Sequence, residues 1–171
     1  PNCLGVWKDE HIPALRRMTD FVTAHGSVPG IQLAHAGVKA SRHRPLHPKR
    51  NRFVPLDDGG WMPVAPTAKR YGSDGPVPHD HRMRFLLETV RAVREALPED
   101  VPLLVRLSCT DWVEGGWTVE DSVKASRRLK EEGVDLIDCS TGGATRNAKI
   151  PGGPDYQVPF AEQIRKEAGI A

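Results

Sequence analysis

Three short apolar stretches end in side chains that can do chemistry. Gly30-Ile31-Gln32-Leu33-Ala34-His35 carries an amide and closes on an imidazole. Pro102-Leu103-Leu104-Val105-Arg106-Leu107 buries a guanidinium in an apolar run, then meets Ser108 and Asp111. Val134-Asp135-Leu136-Ile137-Asp138-Cys139 offers a carboxylate, followed by Ser140 and Gly142-Gly143. A cation inside Leu-Leu-Val-Arg-Leu is expensive to bury without a partner. Arg106 is therefore expected to meet an anionic or electron-rich ligand, or to pair with Asp138 or Asp111. Gln32 and His35 are either ligand-facing or satisfied polar groups at a strand end. Gly142-Gly143 is a turn first and a phosphate cradle second, because it lacks Gly-x-Gly-x-x-Gly spacing and no helix directly follows it.

The elements that must position these residues alternate. Asp9 is expected to cap a helix over 11–25, with Ile12, Leu15, Met18, Phe21 and Val22 on one face and Gly26 ending it. Residues 30–35 read as a buried strand. A second helix spans 82–97, with Met83, Leu86, Leu87, Val90 and Val93 in a stripe and Pro98 as its stop. Residues 102–107 read as the second strand. Thr118 with Asp121 forms a capping box for a third helix ending near Gly133, and 134–139 is the third strand. A last helix covers 160–166. Apolar strands alternating with helices predict an α/β fold with parallel strands, and ligands in such folds sit at the carboxyl ends of the strands. From Ala36 to His81 nothing periodic appears, and a structureless stretch of that length implies a lid, an insert or a deletion scar.

Composition narrows the classes. The chain has 171 residues, 24 basic against 22 acidic, for a net charge of +2. That balance argues against a dedicated nucleic-acid binder. Cys3, Cys109 and Cys139 are odd in number and widely spaced, which argues against a zinc knuckle or disulfide framework and fits a reducing cytoplasm. No apolar run is long enough to span a membrane, and no signal peptide opens the chain. The run Lys39, Arg42, Arg44, Lys49, Arg50, Arg52 reads as a solvated loop, with nucleic acid as the alternative, and it lacks aromatics for base stacking. A metal site from His35, His43, His47, His79 and His81 has neither helical spacing nor a carboxylate partner.

Taken in order, the motifs resemble a known family. Gln32-Leu33-Ala34-His35-Ala36-Gly37 with Lys39-Ala40-Ser41 is similar to the "QLAHAGRKAS" segment of the old yellow enzymes, in their bacterial NADPH-dependent, xenobiotic reductase-like branch. Gly5-Val6-Trp7-Lys8-Asp9-Glu10, Gly60-Trp61-Met62-Pro63-Val64-Ala65-Pro66-Thr67 and Met83-Arg84-Phe85-Leu86-Leu87-Glu88 resemble further segments of that branch. So do Val105-Arg106-Leu107-Ser108, Thr110-Asp111-Trp112, Asp135 to Ser140 and Tyr156 to Ala161. The resemblance implies a (β/α)8 TIM barrel of the FMN-linked oxidoreductase type. Its members take hydride from NADPH (or NADH) onto FMN and pass it to an activated alkene, a small-molecule substrate. By resemblance, Gln32 hydrogen-bonds the flavin pyrimidine edge through its two-faced amide. Arg106 sits where negative charge gathers on the reduced flavin.

The departures shape the expectation. The family's "AAHGYL" segment, whose two basic side chains bind substrate oxygen, has no match, and Pro76-Val77-Pro78-His79-Asp80 runs directly into His81-Arg82-Met83-Arg84. This predicts an internal loss of a βα unit, with its junction near residues 79–81. His79 and His81 are not the substrate pair. The family's first two strands, with its redox-tuning cysteine and its tyrosine, find no match, nor do its last two, which grip the FMN phosphate. Cys3 belongs to the later lead-in, and Val38 stands where the family usually has Arg. A closed barrel needs ~250 residues. The chain is therefore expected to be one incomplete barrel domain over 1–171, lacking several strands, with a cofactor half-site at Gln32 and Arg106 and no assigned catalytic residue. It is expected to be a fragment with impaired activity and open edges prone to self-association. The alternative is a non-catalytic remnant acting as an interaction module.

Overall fold

The computed structural model describes residues 5–50, 52–65, 79–80, 83–143 and 148–171. They fall into two compact units: Pro1–Ala36 with Ser41–Trp61, and Gly37–Ala40 with Met62–Ala171.

In the first unit, a 3-10 turn at Asp9–His11 leads into helix α1, Ile12–Ala24. The expected Asp9 cap is not formed. Asp9 lies inside the 3-10 turn and His11 holds the N-cap position, so the helix opens without a side-chain cap. Gly26, at φ 77°, ends it as expected. The apolar face is not covered: Ile12, Met18 and Phe21 are exposed, and α1 buries no residue.

The expected strand over 30–35 is absent. Residues 27–36 have no regular structure, and Ile31 and Leu33 are 65% and 48% exposed. A strand exists only where its N–H and C=O groups find a ladder, and among the described residues of this unit none runs alongside it. Downstream, the segment after Ala36 has more structure than expected. An antiparallel bridge joins Arg42 to Phe53, and a 3-10 turn at Leu56–Asp58 ends on Gly59 at φ 82°. Buried Ser41 anchors this part: its carbonyl accepts from Val54 N at 2.7 Å, and its Oγ accepts from Trp61 N at 2.8 Å.

The second unit follows the predicted rhythm. After a 3-10 turn at Gly37–Lys39, β1 (Val64–Ala65) pairs in parallel with β2 (His79–Asp80). Then come α2 (Arg84–Ala96), β3 (Leu104–Ser108), α3 (Val119–Glu131), β4 (Leu136–Ser140) and α4 (Val158–Ala168). The expected positions of these five elements hold within two or three residues. Strands β3 and β4 are parallel, with Leu104 opposite Leu136, Arg106 opposite Asp138 and Ser108 opposite Ser140. Period-two alternation sorts their side chains. Val105, Leu107, Cys109 and Ile137 face the helices and join Val90, Val123, Ala125, Leu129 and Ile164 in one buried core. Leu104, Arg106 and Ser108 face the other way and are exposed.

Helix α3 begins with the predicted capping box. Thr118 Oγ1 accepts from Asp121 N at 3.2 Å while the Asp121 carboxylate accepts from Thr118 N at 3.2 Å. Gly133, at φ 82°, turns the chain from α3 into β4, where a Cβ would meet Arg94 and the backbone sign already favours glycine. Past α4, Ile137 N donates to Ala171 O at 2.8 Å. No helix among the described residues is long and apolar enough to cross a membrane.

Candidate functional site

The carboxyl ends of β3 and β4 carry the densest set of polar groups on this sheet. Arg106 Nη1 donates to Asp138 Oδ2 at 2.6 Å, directly across the register. The expectation of a buried Arg106 is corrected: its side chain is 56% exposed and that of Asp138 48%. The reason is the strand's alternation, which puts Arg106 on the exposed sheet face, opposite buried Val105 and Leu107. Of the two candidate partners, Asp138 pairs with it. Asp111 is engaged elsewhere, its carboxylate accepting from Trp117 N at 3.0 Å and so closing the loop after β3.

Exposed ion pairs contribute about 0–1 kcal/mol to stability. Asp138 therefore matters less for holding the fold than for aiming the guanidinium. One nitrogen is committed to Asp138, which leaves the remaining N–H donors of the planar group for a ligand on the open face.

The loops beyond the strands converge. Ser108 Oγ donates to Gly142 O at 3.3 Å, Gly142 N donates to Thr110 O at 3.2 Å, and Cys109 N donates to Ser140 O at 2.7 Å. Gly142 and Gly143 take φ 75° and 76°, and a Cβ on Gly142 would collide with Ile150. Both glycines thus sit in the left-handed region that favours glycine. Lys39 Nζ comes within 3.1 Å of where a Cβ on Gly143 would lie. Trp112 holds φ 57°, unusual for a large side chain, and stacks edge-on against Phe160 at 5.7 Å. Among the described residues, Trp112 Nε1 and Thr141 Oγ1 are buried with no hydrogen-bond partner. Such orphaned polar atoms are ones that a ligand could satisfy.

Behind the sheet, Cys109 is fully buried. Burial pushes its thiol up to about 12, with neighbouring Cys139 adding to the effect. That makes it a packing residue, inert as a nucleophile. Along β4, a groove of about 500 Å³ is lined by Leu104, Leu136 and Asp138 from the sheet, by Val158 and Ala161 from α4 and by Gln157 just before it.

Gln32 and His35 belong to the first unit, in its exposed, irregular segment. Burial lowers the pKa of the His35 imidazole. Arg106 belongs to the second unit. His79 lies in β2, whereas His81 and Cys3 fall outside the described residues. Among the described residues, no group of three or more His, Cys, Asp or Glu could hold a metal ion. Sequence reasoning missed Lys39 and Trp112. Lys39 was counted with the basic run, although its neighbours Ala40 and Gly37 belong to the second unit. Trp112 stood in the Thr110-Asp111-Trp112 motif without a role.

Residues 66–167 match the family model described as the NADH:flavin oxidoreductase / NADH oxidase family. The chain belongs to that family. Its relatives include an NADPH dehydrogenase of Listeria innocua, 36% identical over 211 residues covering 98% of this chain, and one of Geobacillus sp., 37% identical over 209 residues covering 98%. An NADPH dehydrogenase of Bacillus velezensis is 35% identical over 211 residues, again covering 98%. The chain spans 61% of the length of each of these relatives. The aligned stretch of 211 residues is longer than the 171 of the chain, so the relatives carry positions inside it that have no counterpart here. The family's fold is the TIM barrel, and β3–α3–β4–α4 are two consecutive βα units of that architecture.

Proposed function

We propose that this chain carries the flavin half-site of an FMN-dependent NADPH oxidoreductase acting on activated alkenes. The observation that carries the reading is the Arg106–Asp138 pair, aimed from the exposed sheet face of a chain in this family. When bound, FMN would carry two electrons from reduced nicotinamide to an electron-poor double bond. The residues present fit part of that group. Arg106 would hold positive charge beside the flavin's pyrimidine edge, where a fixed cation favours the more negative form. Gln32 would offer one donor and one acceptor from its amide. Among the described residues, Trp112 Nε1 and Thr141 Oγ1 are unsatisfied donors beside the strand ends.

Activity of this chain by itself is proposed to be weak. The segment whose basic side chains hold substrate oxygen in the family finds no match, and the excess length of the aligned stretch supports an internal loss; the junction near residues 79–81 is read from the motif order alone. The test is anaerobic mixing of the chain, FMN and NADPH, followed by an α,β-unsaturated ketone. The reading expects NADPH to bleach the flavin's visible band more slowly than a full-length relative does, and the ketone to restore it. Bleaching no faster than with FMN alone would remove the oxidoreductase reading. A second reading, a non-catalytic interaction module, is favoured by one observation: α1 buries none of its residues. Self-association detected by sedimentation, without any flavin effect, would favour it.

A further inference from the structure

The chain's near-neutral charge hides a local imbalance. Between Arg42 and Arg52 stand five cations, Arg42, Arg44, Lys49, Arg50 and Arg52, with two histidines and no carboxylate. The Arg42–Phe53 bridge closes this stretch into a hairpin. Inside it, successive turns follow one another: His47 N donates to Arg44 O at 3.0 Å, Arg50 N to His47 O at 2.8 Å and Arg52 N to Lys49 O at 3.1 Å. Pro45 and Pro48 preset φ within these turns.

The arrangement concentrates donors. The His43 and His47 rings stack at 4.2 Å with their planes 5° apart. Lys49 N donates to His47 Nδ1 at 3.1 Å, so neutral His47 carries its proton on Nε2. The His47 pKa is lowered, first by desolvation and then by the charges of His43, Arg44 and Lys49. Arg44, Lys49 and His47 Nε2 thus bring donors, and no carboxylate, to one short hairpin. Cations gathered in so short a hairpin repel one another, and a multivalent anion relieves several repulsions at once. Arg favours phosphoryl oxygens because its fork matches them in pairs. The hairpin has no aromatic between Arg42 and Arg52 on which a base could stack, so it would read the phosphate and not the base.

We infer that the 42–53 hairpin is a docking site for a phosphate-bearing anion, held by Arg44, Lys49 and the Nε2–H of His47. The anion is either the phosphomonoester of a nucleotide or a free phosphate, and the chemistry that binds them is shared. The site stands whether or not flavin binds elsewhere.

The test titrates the full chain, without flavin, with pyrophosphate and separately with adenosine 2′,5′-bisphosphate, following the imidazole resonances of His43 and His47 by NMR. The expected result is a saturable shift of both rings, with affinity at least tenfold weaker in Arg44→Gln/Lys49→Gln and unchanged in Lys124→Gln, a loss of one positive charge on α3. Tighter binding of the bisphosphate assigns the nucleotide source, and tighter binding of pyrophosphate assigns free phosphate. Arg44→Lys keeps the charge and loses the fork, so it is expected to weaken binding less than the double variant, and it keeps the test alive should that variant misfold. The inference is overturned by shifts that sodium chloride reproduces at matched ionic strength, by the absence of saturation, or by equal affinity in the wild type and folded Arg44 and Lys49 variants.

Discussion

Helices α1 and α3 each run for thirteen residues, yet α1 buries none of its side chains while α3 buries Ser122, Val123, Ala125, Ser126 and Leu129. Both have an apolar stripe at helical spacing. The difference lies in what stands opposite. Helix α3 lies between a strand before it and a strand after it, and these pair in parallel, so the βαβ unit supplies its own cover. Helix α1 is followed by an irregular segment and a hairpin whose own Val28, Ile31, Leu33 and Leu46 are exposed. Periodicity says which face a helix would bury; only neighbouring elements decide whether it does.

The sharpest way to break this comparison is to truncate one apolar side chain in each helix. Leu129→Ala removes a fully buried side chain from the second unit and is expected to cost about 2–5 kcal/mol in urea unfolding. Phe21→Ala removes a 65% exposed one and is expected to change stability by less than about 0.5 kcal/mol. Comparable losses would mean that α1 is covered in solution.

A smaller effect is expected at the helix starts. Thr118→Ala breaks the capping box of α3 and should cost about 1 kcal/mol. Asp9→Ala removes no cap from α1 and should leave its helicity unchanged, as judged by circular dichroism.

Cysteine titration sharpens the contrast further. In the folded chain the Cys109 thiol is raised from 9.0 to about 12, chiefly by burial, so the unfolded chain loses this proton first as pH rises. Stability contributed by the neutral thiol is complete below pH 9, and it falls between 9 and 12. Cys109→Ser is expected to flatten that alkaline loss in pH-dependent unfolding. The smallest effect belongs to the first unit: His47 should titrate below the ordinary imidazole value of 6.5 in an NMR pH series, and Lys49→Gln should move it back upward.

Legibility followed the same division. The capping residues Thr118 and Asp121, the stop at Pro98, the glycines at 26 and 133 and the strands carrying Arg106 and Asp138 were readable because each rests on local chemistry or on a short βα repeat. The strand over 30–35 was misread because Ile31, Gln32 and Leu33 have strand composition, while a strand also needs a ladder that composition does not reveal. Arg106 was read as buried because its neighbours are apolar. Its true setting depends on which sheet face the helices cover, a tertiary fact. The choice between Asp138 and Asp111 as its partner likewise rested on parallel register, which places Asp138 opposite it. Lys39 near Gly143 joins residues a hundred positions apart, and no local pattern announces such a contact.

The central claim is that Arg106, aimed by Asp138, still forms a working flavin half-site. Equilibrium titration of the purified chain with FMN, followed by flavin fluorescence and repeated with Arg106→Ala and Asp138→Asn, tests it most directly. The account predicts saturable binding in the wild type, loss of at least tenfold in affinity with Arg106→Ala, and a smaller loss with Asp138→Asn while both variants stay folded. A folded wild-type chain that shows no saturable FMN binding, or binds it equally well without Arg106, would contradict it.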